Sequence, residues 1–235
     1  PRAVFTPWGP GGKAEAVTGG ASRRARRYVV VEGVIGVGKT TLVHQLVRAL
    51  GGRAVLEAFE DNPFLPAFYR DPDANALSTQ LFFLMSRFRQ QEQLAQEDLF
   101  APHTVADYLF DKDRIFAELN LGGAELGIYD QLFEVLRPRV PAPDLVVHLR
   151  ADLDIVLERI RQRGRSYELD IDPGYLRALD AAYATFCAAY DAAPVVTVDT
   201  GTIDFRRQGP VFDAIVEAIH TGAVPARPDA RGAGA

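Results

Sequence analysis

A chain of 235 residues, 48% hydrophobic and 24% charged, has the size and composition of one large globular domain. Its net charge of −5 argues against a nucleic-acid partner, and its one cysteine, Cys187, excludes an internal disulfide and suits a reducing compartment. No apolar run nears the ~20 residues a membrane span needs, and none follows the N-terminal charges, so a cytoplasmic protein with no membrane partner is expected.

Residues 1–27 are rich in Gly, Pro and Ala, lack apolar periodicity, and close on Arg23-Arg24-Ala25-Arg26-Arg27. They read as a flexible tail, because so little apolar surface cannot offset the entropy of ordering it. Residues 223–235 read as a second short tail, leaving 28–222 as the folded domain. Within it, 28–32 is a short apolar run, as expected of a strand buried on both faces. Helical spacing follows at 40–50 and stops at Gly51-Gly52. A strand is expected at 53–56, a helix at 63–70, a long helix at 76–98, and a third strand at 104–108. Helices at 113–119 and 124–136 precede a strand at 144–150. The remainder reads as helices at 153–163 and 173–191, a strand at 195–199, and a closing helix at 210–220. This alternation predicts a three-layer α/β sandwich: five parallel strands with helices on both faces.

Between the first strand and its helix stands Gly33-Val34-Ile35-Gly36-Val37-Gly38-Lys39-Thr40, which satisfies G-x-x-x-x-G-K-[ST]. The glycines let backbone N–H groups curl around phosphate oxygens. Lys39 brings charge to the β/γ-phosphates, the Thr40 hydroxyl can ligate Mg²⁺, and Thr41 begins the helix whose positive end faces the anion. The ligand expected is ATP. No N-K-x-D segment for reading guanine is present, and Asp107 alone ends the third strand where switch ATPases carry Asp-Glu.

A small-molecule kinase needs a base at its acceptor and arginines over the transferring group, whose loose transition state spreads negative charge over the equatorial oxygens. Arg159, Arg161, Arg163 and Arg165 supply that density. By themselves they read as a solvated basic helix end; beside a phosphate loop they read as a lid, with Gly164 as its hinge. Glu57, at the end of the second strand, stands where open parallel sheets build their sites, although Glu60 and Asp61 compete with it on spacing alone.

These pieces resemble the deoxynucleoside kinases, especially the bacterial deoxyguanosine/deoxyadenosine kinase branch, over roughly 28–205. The likeness rests on Glu32-Gly33 through Thr40, Glu57 with Asn62-Pro63-Phe64-Leu65 and Phe68-Tyr69, Gln80 with Arg87-Phe88, Asp107-Tyr108 with Phe116-Ala117, Arg159 with Arg163-Gly164-Arg165 and Glu168, and Asp204-Phe205. It implies a nucleoside/nucleotide-kinase-like fold with an Arg-rich lid, and transfer of the γ-phosphoryl of ATP to the 5′-hydroxyl of a purine deoxynucleoside. By the same resemblance Glu57 is the base, while Tyr69 and Glu168 hold the 3′-hydroxyl. Gln80, Arg87 and Asp113 read the nucleobase and Phe116 stacks on it. Arg159, Arg163 and Arg165 close over the phosphates, Asp204-Phe205 flanks ATP, and Asp107 joins Thr40 at Mg²⁺. A homodimer through 113–136 is also implied.

Two departures stand out. Many members carry an acid–Arg–Ser/Thr triplet where this chain has Asp107-Tyr108-Leu109, so Lys112 or Arg114 is expected to supply the missing cation. Ala58 follows Glu57 where a proline is common. The alternatives are a nucleoside monophosphate kinase, which needs a basic pocket for the acceptor's phosphate, and a slow ATPase that switches a partner.

Overall fold

The computed structural model describes residues 26–97, 103–165, 168, 171–201, 203, 205 and 209–222. Residues 1–25 of the tail expected at 1–27, the tail expected at 223–235, the end of the long helix at Asp98, and Asp204 lie outside these residues, as does the side chain of Glu60. Strands β1 (Arg27–Glu32), β2 (Arg53–Val55), β3 (His103–Ala106), β4 (Leu145–Arg150) and β5 (Val195–Asp199) form one sheet in the order β2-β3-β1-β4-β5. Every pairing is parallel. The chain leaves β1 toward β2 on one side and later returns to β4 on the other. The carboxyl end of β1 is therefore the switch point, where such sheets open a crevice.

The helices are α1 (Lys39–Leu50), α2 (Leu65–Phe68), α3 (Pro72–Glu97), α4 (Asp113–Asn120), α5 (Gly123–Leu136), α6 (Leu153–Arg163), α7 (Pro173–Ala189) and α8 (Pro210–Thr221). Side chains alternate along the strands. Val29, Val31, Val147 and Leu149 join the main core with Leu42 and Leu46 of α1 and Ile215 and Ile219 of α8. Val30 and Val146 point the other way, into a smaller cluster with Leu109 and Tyr190. A third cluster, built by Leu84 and Phe88 of α3 with Tyr129 and Phe133 of α5, stands apart from the sheet core.

Several boundaries differ from expectation for local reasons. β1 begins at Arg27, one residue inside the expected tail, where Arg27 pairs with His103 of β3. The helix expected at 63–70 is a single turn, α2, preceded by a 3₁₀ turn at Phe59–Asp61. α3 starts at Pro72 rather than 76, because Pro72 presets the first helical φ and the Asp71 carboxylate accepts the Ala74 N–H. Neither signal is an apolar repeat. β3 ends at Ala106, which leaves Asp107 just beyond the sheet.

Candidate active site

The loop after β1 is shaped by glycine. Gly36 has φ 82, and a Cβ there would stand 2.7 Å from Ile160 Cγ1 of α6. Gly33, at φ 144, passes so close to β4 that a Cβ would meet the Leu149 carbonyl at 2.3 Å. Lys39 Nζ donates to the Gly33 and Val34 carbonyls at 2.7 and 3.1 Å. Burial, and then the charge of Lys112, lower its pKa to about 8.

Behind the loop, Thr40 Oγ1 donates to Asp107 Oδ2 at 2.8 Å, while Asp107 Oδ1 accepts the Glu57 backbone N–H at 2.7 Å. Asp107 thus ties α1 to the end of β2. Glu57 is itself held by cations. Its Oε1 accepts from Arg87 Nε at 2.7 Å and from Arg87 Nη2, and its Oε2 accepts from Lys112 Nζ at 2.8 Å. Burial alone would raise the pKa of this carboxyl; Arg87 and Lys112 outweigh it and hold the value at about 2. The third nitrogen of the Arg87 fork, Nη1, pairs with Asp113, and its guanidinium lies 4.7 Å from the Phe83 ring centre. Asp61, one of the competitors of Glu57, is exposed.

A single cleft of about 690 Å³ joins these groups. At one end it is lined by Gly36, Gly38, Lys39, Thr40 and Thr41, and at the other by Tyr69, Gln80, Arg87 and Phe116. Glu57 and Asp107 stand between, with Arg159, Arg163, Arg165, Glu168 and Phe205 along the flank. Gln80 is buried, and its Oε1 has no protein partner; the same is true of Thr79 Oγ1 and of Asp113 Oδ2. Asp113 does not line the cleft but sits behind Arg87.

The three arginines expected to form a lid differ from one another. Arg159 is bonded down, donating to the Val37 carbonyl at 3.0 Å and to Thr200 Oγ1 and O at 3.0 and 2.8 Å. It braces the phosphate loop against the end of β5. Arg163 and Arg165 both pair with Glu168, and Arg165 also lies 4.1 Å over the Phe59 ring. Gly164, between them, is the left-handed cap that ends α6. Of the two cations expected to replace the missing arginine, Arg114 is exposed and faces Glu118, Asp130 and Glu134. Lys112 alone reaches Glu57.

The family model for deoxynucleoside kinases matches residues 29–224. The chain belongs to that family. Among relatives of this deoxynucleoside kinase, a deoxyguanosine kinase of Bacillus subtilis is 34% identical over 197 residues, 82% of this chain and 95% of the relative. A deoxyadenosine/deoxycytidine kinase of the same organism is 30% identical, over 81% of this chain and 90% of its own. A Lactobacillus johnsonii deoxyguanosine kinase is 35% identical, over 75% and 84%. In fold, the kinase is similar to a solved structure of deoxyadenosine kinase from M. mycoides with bound dATP (TM-score 0.71, 24% identity, 82% of this chain and 98% of that one). The five-stranded parallel sheet with its phosphate loop is the fold that the resemblance implied.

Three groups in the kinase site escaped the sequence reading of roles. Glu32 is buried at the end of β1, where its carboxylate accepts the Gly33 N–H at 3.0 Å and the Leu109 N–H at 2.5 Å. Its place directly before the glycine loop was the available signal. Phe59, which stacks on Arg165, and Thr200, which receives Arg159, carry no motif: both matter only through elements that meet after folding.

Proposed function

We propose that this kinase transfers the γ-phosphoryl of ATP to the 5′-hydroxyl of a purine deoxynucleoside, deoxyguanosine before deoxyadenosine, for salvage of deoxynucleotides in the cytoplasm. The supporting observation is the single cleft that carries the phosphate loop, Glu57 and the Gln80–Arg87 pair together. ATP occupies the loop end, its phosphates met by backbone N–H groups, Lys39 and the start of α1. The nucleoside lies between Tyr69, Gln80, Arg87 and Phe116, with Glu168 at its 3′-hydroxyl. Glu57 accepts the 5′-hydroxyl proton as the oxygen attacks the γ-phosphorus, and Arg163 and Arg165 turn from Glu168 toward the transferring group. Mg²⁺ would be held by Thr40 and Asp107, whose hard oxygens stand 2.8 Å apart. Mg²⁺ commonly takes one or two protein oxygens and the rest of its ligands from phosphate and water. When bound, it neutralises charge on the β- and γ-oxygens.

A monophosphate acceptor is disfavoured, because Arg70, the lone cation between Glu57 and Gln80 in sequence, is exposed and does not line the cleft. A homodimer is supported by Ile128, Leu132 and Val135, exposed along one stripe of α5, with Leu119 of α4. Transfer of labelled γ-phosphate to a panel of deoxynucleosides and their monophosphates tests the reading. Label should appear in deoxyguanosine and deoxyadenosine first. Labelled monophosphate acceptors, or acceptor-independent release of phosphate, would overturn it.

A further inference from the structure

Beyond Asp107 the chain turns away from the cleft for four residues. Tyr108, Leu109 and Phe110 are each at most 2% exposed and fill the core, and Asp111 pairs with Arg137. The next side chain, Lys112, comes back. It is 2% exposed, on the 3₁₀ turn Phe110–Lys112, with Nζ 2.8 Å from Glu57 Oε2 and 3.7 Å from Glu32 Oε1. An ammonium buried this deeply costs several kcal/mol unless paired, and a packed apolar side chain is commonly no worse for stability. Its burial against Glu57 and Glu32 points to a role in the site.

That role follows from how the Glu57 carboxylate is gripped. The Arg87 fork fixes Oε1 while its Nη1 is spent on Asp113. Lys112 fixes Oε2 from the other side. With both oxygens anchored, the carboxylate plane has one orientation, and Glu57 so held lines the cleft. Lys112 Nζ is 5.9 Å from the ring centres of Tyr108 and Phe116, and Lys112 stands outside the cleft wall. It acts through Glu57.

We propose that Lys112 is a positioning residue that clamps Glu57 Oε2 opposite Arg87 and presents the carboxylate to the acceptor hydroxyl in one orientation. The inference rests on the reading of Glu57 as proton acceptor, and a double-mutant cycle separates the two. Misplacement by about 1 Å can cost about 10²-fold in rate, so Lys112→Met should lower kcat by about that factor while the KM for ATP stays near that of the parent. In a Glu57→Gln background the same change should cost no more than about twofold further, because there is no base left to position. Arg114→Ala, on the surface, should leave kcat unchanged. If Lys112→Met does not melt as a folded protein, Lys112→Ala, which likewise offers Glu57 no donor, carries the same comparison. An equal loss in both backgrounds would make Lys112 merely structural and overturn the proposal, as would a folded Lys112 variant at parental kcat. If Glu57→Gln itself keeps full turnover, it is the reading of Glu57 that fails; if Glu57→Gln is slow and the Lys112 variants are not, only the clamp fails.

Discussion

The two ends of the cleft are built on opposite principles. At the phosphate loop the chain is shaped by local backbone: glycines at positive φ, and Lys39 bonded to carbonyls only six and five residues away. At the Glu57 end almost nothing is local. Glu57 meets Arg87 thirty residues on and Lys112 fifty-five residues on, and Arg87 meets Asp113 across twenty-six. The first end is a shape that one stretch of sequence makes by itself. The second is a set of charges that exists only once β2, α3 and the turn after β3 have come together.

If that contrast is right, the two ends should fail differently when altered. Glu57→Gln should lower kcat by about 10²–10⁴-fold and leave ATP binding intact, as read by a fluorescent ATP analogue beside a turnover assay. Near-parental turnover would remove the base from the acceptor end. Lys39→Met should cost about 10²–10³-fold in transfer and weaken ATP binding as well, so that only the donor-end variant loses affinity for the nucleotide.

Beneath both ends lies His148 of β4, 1% exposed, 6.2 Å from the Tyr183 ring and nearly parallel to it. Burial first, and then Arg150, lower its pKa to about 4. Between about pH 6.5 and 4 the unfolded chain takes up a proton that the folded chain refuses, so stability should fall as pH falls through that window, by about 3 kcal/mol. Urea unfolding at pH 7 and pH 4.5 should show His148→Phe losing less stability on acidification than the parent. The smallest effect is expected at the loop: Gly38→Ala, at φ 110 with open space around its Cβ, should cost about 1–2 kcal/mol through backbone strain alone. Gly36→Ala, which adds the Ile160 collision, should cost more in the same thermal melt.

How far the sequence could be read follows the same division. The sheet, its parallel sense and the loop were legible because apolar runs, helix stops and Gly33 through Thr40 are local signals. The start of α3 was not, since Asp71 and Pro72 announce it by capping chemistry ahead of any apolar repeat. At the site, Glu57, Gln80 and Arg87 could be named, but not what holds them. Arg159 has the spacing of a lid residue and a brace's bonds to Val37 and Thr200. Lys112 and Arg114 are two residues apart, equally basic on paper, and only the 3₁₀ turn decides that one is buried at Glu57 and the other is on the surface.

The bridge made by Asp107 carries a practical lesson for redesign. One of its oxygens is bonded to the helix that begins at the phosphate loop, and the other to the backbone of Glu57. The gap between the phosphate loop and Glu57 is therefore set by a single carboxyl group. An effort to admit bulkier acceptors would do best to carve space from the Gln80 face of α3, leaving that spacer at its present length.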